Sequence, residues 1–259
     1  GQRTYDPALG RWTTQDPLLE KYFHVSPYAY CLGNPARYFD PDGMSTHTDS
    51  LGFVVAVYDD NDLGVYRHAI NKESYDGSQL LAQNGTRMGE TLTPFGFADF
   101  KAYENGELKA DPYAFIDFES NWAEEQVNSI READPNFIAY MLKARGNGEW
   151  DIKTHAPGKN PLYGSLLFGK YASARDAGNF AAGMVAQQSM LPNAFFDYGY
   201  GLYNMSGNNF ATSALLLFSD LMLLHRYPYI GASVMLRRAR FGEHPLSRMG
   251  IEAGKNFFR

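Results

Sequence analysis

Two short runs of strand-like character between residues 51 and 68 give way, from Asn121, to apolar positions recurring at helical spacing. Residues 51–68, "LGFVVAVYDDNDLGVYRH", hold two β-branched and aromatic runs around a polar turn at Asp59–Asp62, which predicts a β-hairpin. Residues 69–118 are dominated by turn formers, with short strands expected near Phe95–Phe100 and Tyr113–Phe118. From Asn121 the pattern is amphipathic and helical. "NWAEEQVNSIREA" predicts one helix, and "DPNFIAYMLKARG" a second, with Asp134 as N-cap and Pro135 at the first helical position. A Gly- and Pro-rich loop, "GNGEWDIKTHAPGKNPLYG", separates these from helices expected near 171–190, 192–204, 208–225, 229–240 and 245–258. The expected fold class is α+β, a β-rich N-terminal part followed by a mostly α-helical body.

Residues 1–44 follow neither pattern. They are aromatic and punctuated by Pro and Gly, with strands expected around Arg3–Tyr5 and Tyr28–Cys31. "YFDPDGM" at 38–44 concentrates Asp-Pro and Asp-Gly turn chemistry where the character of the sequence changes. Three parts follow: 1–44, a β-rich linking part at 45–118, and a helical part at 119–259. The opening "GQRTYDPALGRW" reads as mid-protein, so the chain is expected to be the C-terminal piece of something longer.

Composition narrows the chemistry. A net charge of −6 argues against non-specific coating of nucleic acid while allowing a local basic groove. With Cys31 as the single cysteine, no intrachain disulfide can form, and no Cys/His metal cluster is present. The longest apolar run, "ATSALLLFSDLMLL" at 211–224, is too short for a membrane span and is interrupted by Asp220, so no stable membrane insertion is expected. "GSLLFGKY" at 164–171 has P-loop spacing but ends in Tyr171 where Mg²⁺ needs Ser or Thr. Neither a cofactor nor a metal is expected.

Three polar motifs beside small residues stand out in the apolar helical region: "GEWDIKTH", "YASARDAGNFAAG" and "FGEHPLSRMGIEAGKNFF". Asp151 and Lys153 alternate on what reads as an extended segment and so can point the same way. Arg175, Asp176 and Asn179 lie within one helical turn. Gly178 and Gly183 each cost that helix about 1 kcal/mol, tolerable where a ligand or a second helix must come close. Expected catalytic carboxylates are Asp151, Asp176 and Glu243, with Lys153, Arg175, Asn179, His244 and Arg248 as binding groups. Glu243 alone could instead be a helix cap. Tyr198, Tyr200 and Tyr203 suit either a sugar-stacking wall or ordinary core packing. "HTD" at 47–49 could bind a metal but is expected to be flexible, His155 to be at the surface, and His225 to be a helix-terminal charge.

The segment "TYDPALGRWTTQDPLLEKYFHVSPYAYCLGNPARYFDPDGM" resembles the end of the Rhs-repeat core of polymorphic toxins, with several elements in that family's order. The resemblance implies a hollow shell around a toxin, released by an autoproteolytic cut. Asp16 and Asp40 would be the aspartate pair and Met44–Ser45 the scissile bond. Leu19 stands where the family has Gly, and Met44 where it has Leu. From Phe137 onward the three polar motifs resemble the bacterial toxin 44 family, with Ala182 in place of the usual aromatic.

These resemblances imply a secreted interbacterial toxin delivered by a secretion-system spike. Its partners would be a cognate immunity protein, the Rhs shell of its own parent chain and a polymer of the target cell. A hydrolase of cell-wall polysaccharide, acting in the target periplasm, is expected first, since carboxylates and tyrosines suit a glycan. A nuclease acting in the cytoplasm is the alternative, with "MLRRARF" at 235–241 as a backbone-binding stripe. A third possibility is a non-catalytic toxin that disrupts membranes with its apolar helices.

Overall fold

The computed structural model describes residues 5–6, 11–12, 44–188, 193–206, 210–241 and 245–257. The fold is α+β, with strands gathered ahead of helices. Two short strands, β1 (Tyr5–Asp6) and β2 (Arg11–Trp12), pair antiparallel. The strand expected at Tyr28–Cys31 lies outside the described residues.

The first sheet is built from β3 (Met44–Thr48), β4 (Val54–Asp59), β5 (Gly64–Arg67) and β6 (Thr86–Glu90), in the order β4-β3-β5-β6. Both strands expected in residues 51–68 are present, yet they do not form a hairpin. Strand β3 lies between them, antiparallel to β4 and parallel to β5. Two strand spacings amount to only about 10 Å, a gap the short polar turn after Asp59 crosses. "HTD" is correspondingly not flexible: His47 and Thr48 sit in this central strand, buried on both faces. Asp49 closes the turn to β4, its Oδ1 accepting from the backbone N–H groups of Leu51, Gly52 and Phe53 and its Oδ2 from that of Lys72.

Residues 95–99 form turns rather than the expected strand. Asp99 then caps α1 (Phe100–Glu104), accepting from the N–H groups of Lys101 and Ala102. Strand β7 (Phe115–Ile116) runs parallel to β8 (Tyr163–Leu167), which pairs antiparallel with β9 (Lys170–Ser173). Residues before the expected boundary at 118 thus share a sheet with residues after it, and Met44 packs in the core of the sheet region, so neither expected boundary separates hydrogen-bonded layers. The β8–β9 turn has positive φ at both central residues, Phe168 and Gly169, as a two-residue hairpin turn requires. That hairpin holds "GSLLFGKY", and it delays the next helix to residue 174.

Helices α2 (Trp122–Glu132) and α3 (Phe137–Lys143) match the two amphipathic patterns. The cap of α3 is Asn136, whose Oδ1 accepts from Ala139 N–H, and not Asp134, which sits at positive φ. A short α4 (Ile152–His155) occupies the segment read as extended. Helix α5 (Ala174–Gln188) starts directly from β9, with Ser173 Oγ accepting from Asp176 N–H. Then follow α6 (Asn193–Met205), α7 (Phe210–Arg226), α8 (Pro228–Phe241) and α9 (Pro245–Asn256), close to the expected bounds.

Two apolar cores result. One centres on Phe180, Met184, Val127 and Ile130 in the helical body, and the other on Phe95, Phe97, Val65 and Ile116 beneath the first sheet. Helices α5 and α9 touch backbone to backbone. A Cβ on Gly183 would fall 1.9 Å from Ile251 O, and one on Gly254 would fall 2.0 Å from Phe180 O. Gly183 therefore serves helix packing rather than ligand approach.

Candidate functional site

One face of α5 carries Arg175, Gly178, Asn179 and Ala182, the i, i+3, i+4, i+7 positions that point the same way. Opposite this face stand Tyr140 and Met141 of α3, Trp150–Lys153 at the start of α4, and Tyr200 and Tyr203 of α6. Phe100, Ser247 and Ile251 complete a cleft of about 300 Å³. Gly178 leaves it open, the nearest neighbour of an added Cβ there being Ile152 at 3.9 Å. Four residues singled out in the sequence converge here: Asp151, Lys153, Arg175 and Asn179.

Their surroundings differ. Asp151 is 5% exposed, and its Oδ2 accepts from Asn147 N–H at 2.9 Å. Its carboxylate and burial together push the hydroxyl of the neighbouring Tyr140 well above the ordinary phenol range, burial acting more strongly. The Tyr203 phenol is raised too, first by burial and in smaller part by the same carboxylate. Lys153 is exposed at the rim.

Arg175 stacks over the Phe100 ring at 3.5 Å and donates from Nη2 to the carbonyls of Phe95 and Gly96, at 3.1 and 3.3 Å. Its Nε is buried without a hydrogen-bond partner among the described residues, 4.0 Å from Asp176 Oδ1. Asn179 Nδ2 is likewise buried and unpartnered. Two donors one helical turn apart, both on a cleft-lining face and both lacking acceptors, form an arrangement that costs stability unless something fills it.

Asp176 does not join them. It lies about 100° around the helix from Arg175 and faces the Thr93–Gly96 segment, where Thr93 Oγ1 donates to its Oδ2 at 2.5 Å. Burial raises its carboxyl and lowers the Arg175 guanidinium, each opposed in part by the other's charge. The expected shared cleft for Asp151 and Asp176 is thus corrected: Asp151 lines the cleft and Asp176 does not. Among the described lining residues, Asp151 is the only carboxylate.

Glu243 and His244, like Asp16 and Asp40, lie outside the described residues. Arg248 is half-buried on α9 and does not line the cleft, whereas its neighbour Ser247 does. Tyr200 and Tyr203 line it, but Tyr198 is buried elsewhere, donating to Asp220 Oδ2 at 2.6 Å. His155 and Lys159 border an adjoining hollow that shares Lys153 and Pro161 with the cleft. The aromatic wall Tyr140 had no signal beyond helical periodicity, Trp150 was marked by the motif "GEWDIKTH", and Phe100 comes from a segment expected to be a strand.

A second polar cluster lies in the first sheet. Ser45 Oγ donates to Asp60 Oδ2 at 2.6 Å and lies 3.0 Å from His47 Nε2, while His47 Nδ1 lies 2.8 Å from His68 Nε2. The Ser45 N–H donates to Asp60 Oδ1, so the peptide read as a cut site is held at the start of a buried strand. Burial, reinforced by His68, lowers the His47 imidazole to about 4. Among the described residues no group of three or more His, Cys, Asp and Glu side chains is placed to hold a metal.

Comparison with known protein families, with curated proteins and with solved structures finds no match to this chain.

Proposed function

We propose that residues 45–259 are the effector part of an Rhs-type polymorphic toxin and that the cleft beside α5 is a hydrolase site for an anionic polymer of the target cell. The toxin assignment rests on the ordered motifs before Met44 and within the helical body. The observation behind the enzymatic assignment is that Arg175 and Asn179, each with a buried side-chain donor that has no partner among the described residues, line the same cavity as Asp151.

A phosphoryl or carboxylate oxygen seated between those donors would satisfy both, with the Lys153 ammonium adding charge at the rim. Asp151 would then take the proton of the attacking hydroxyl or water, the task of a general base. A phosphodiester fits this set better than a glycosidic bond. A glycosidase requires two carboxylates about 5 to 10 Å apart, and Asp151 has no such companion among the described lining residues. Lys153 and Lys159 continue the cationic character beyond the cleft mouth, as a nucleic-acid backbone would demand. The cell-wall reading retains one supporting observation, the aromatic walls Tyr140, Trp150, Tyr200 and Tyr203. In either case the parent shell, a delivery spike and a cognate immunity protein are the proposed partners.

The test is expression of the chain in bacterial cytoplasm and, separately, with export to the periplasm, followed by incubation of the purified protein with RNA, DNA and peptidoglycan. Cytoplasmic arrest with degradation of RNA or DNA, lost in Asp151→Asn, is the expected result. Periplasmic lysis with release of glycan fragments would transfer the cleft to the cell-wall reading. Harmless folded expression in both compartments would remove the toxin assignment.

A further inference from the structure

Helix α7 presents a stripe that nothing among the described residues covers. Leu215, Phe218 and Met222, at i, i+3 and i+7, are 70, 64 and 54% exposed, and Leu221 beside them is 48% exposed. At the turn into α8, Tyr227 and Tyr229 are 52 and 94% exposed, and Ile230 extends the apolar surface. The opposite side of α7 is anchored, because Asp220 is buried and accepts from Tyr198 of α6. The stripe therefore faces away from the body.

Charge identifies what would cover it. The whole chain carries −6, yet α7 and α8 together contain a single acid, the buried Asp220, against Arg226, Arg237, Arg238 and Arg240. His225 and Arg226 are exposed at the end of the apolar stripe. Aliphatic and Phe side chains on one helical face, tyrosines at its end, and arginines as the only formal charges in the sequence of the two helices apart from the buried Asp220 form the composition of a helix that lies in a lipid–water interface. No described helix is long and apolar enough to cross a membrane, which fits lying on the surface rather than spanning it. A second copy of the chain would set these arginine-bearing helices against their like, an unfavourable pairing.

We infer that the α7–α8 hairpin is a docking surface for an anionic phospholipid bilayer, with the stripe from Leu215 to Met222 seated among the acyl chains and arginines at the headgroups. The cleft takes no part in this, so the two proposals stand or fall separately. The full chain should float with vesicles of phosphatidylcholine containing phosphatidylglycerol, remain behind with vesicles of phosphatidylcholine alone, and lose binding as salt is raised. Arg226→Ala should weaken binding roughly fivefold. The double variant Leu215→Asp/Phe218→Asp should weaken it at least about tenfold. Both positions are exposed, and an unchanged melting temperature and circular dichroism spectrum would show that the fold is intact. Equal binding to both vesicle types would overturn the proposal, as would no binding to either. So would a concentration-dependent dimer that the double variant dissolves while vesicle binding is unaffected.

Discussion

Two regions where the molecule buries polar groups treat them differently. Around β3 most of the groups are paired among themselves: Ser45 reaches Asp60 and His47, His47 reaches His68, and Asp49 satisfies four backbone donors, leaving Thr48 Oγ1 as the buried atom without a partner among the described residues there. Beside α5 the cluster is open, with the cleft-lining residues Arg175 and Asn179 each holding a buried donor, Nε and Nδ2, that has no acceptor among the described residues. Both regions hold residue types that suggest catalysis, and Ser–His–His–Asp in the sheet is the more suggestive list. Satisfaction separates them. A closed network contributes stability and specifies a strand register, whereas an unfilled one is tolerated where a ligand supplies the missing partner.

Substitutions should divide along that line. The largest effect is expected at Asp151. Asp151→Asn keeps an acceptor for Asn147 N–H but removes the base, so activity on the target polymer should fall about 10²- to 10⁴-fold with the melting temperature within a few degrees. Next is His47→Ala, which leaves Ser45 Oγ with Asp60 alone, removes the side-chain partner of His68 and opens a cavity beside Tyr66. A stability loss of roughly 2–5 kcal/mol in denaturant titration is expected, with turnover per folded molecule unchanged. An active-site role for the sheet cluster would reverse these two results.

Smaller effects sharpen the contrast. Gly183→Ala forces a Cβ against Ile251 O, and α9 must shift, at about 1–3 kcal/mol, without altering the cleft donors. For pH the sign follows from His47. Its folded value, about 4, lies below the ordinary 6.5, so the unfolded chain binds the proton more readily between them. Stability from this group is fully present above pH 6.5 and is lost as pH falls towards 4, and His68, also lowered by burial, acts in the same direction. His47→Gln should flatten that part of the stability–pH curve. Smallest is Asn179→Ala, which removes an unpartnered donor and should leave the melting temperature unchanged or slightly raised while weakening substrate binding.

Much of the helical body was legible because its helices carry their own signals, the amphipathic period of α2 and the caps and glycines that bound the others. The sheet was not. Strand β3, "MSTHT", is central and buried on both faces, yet four of its five residues are polar, with Ser45 and His47 held in a hydrogen-bonded network on one face. No hydrophobic alternation marks such a strand, so β4 and β5 looked like each other's partners. In the cleft, motif spacing found Asp151, Lys153, Arg175 and Asn179. It also included Asp176, because closeness in sequence does not reveal that one step along a helix turns a side chain by about 100°. Helix α4 was missed for the same local reason, its four residues being too few for a period to appear.

The placement of β3 has a mechanical consequence. It is the first strand of its sheet in sequence and the middle one in space, with ladders to β4 on one side and β5 on the other. Tension applied through the residues before Met44 loads that strand along its axis, so both ladders bear it at once in shear and neither can be peeled bond by bond. Any machinery that draws this chain through a narrow passage from its N-terminal side meets this doubly paired strand ahead of the rest of its sheet. Once that strand has gone, β4 and β5 share no hydrogen-bonded neighbour, and what remains of the sheet follows under a lower force.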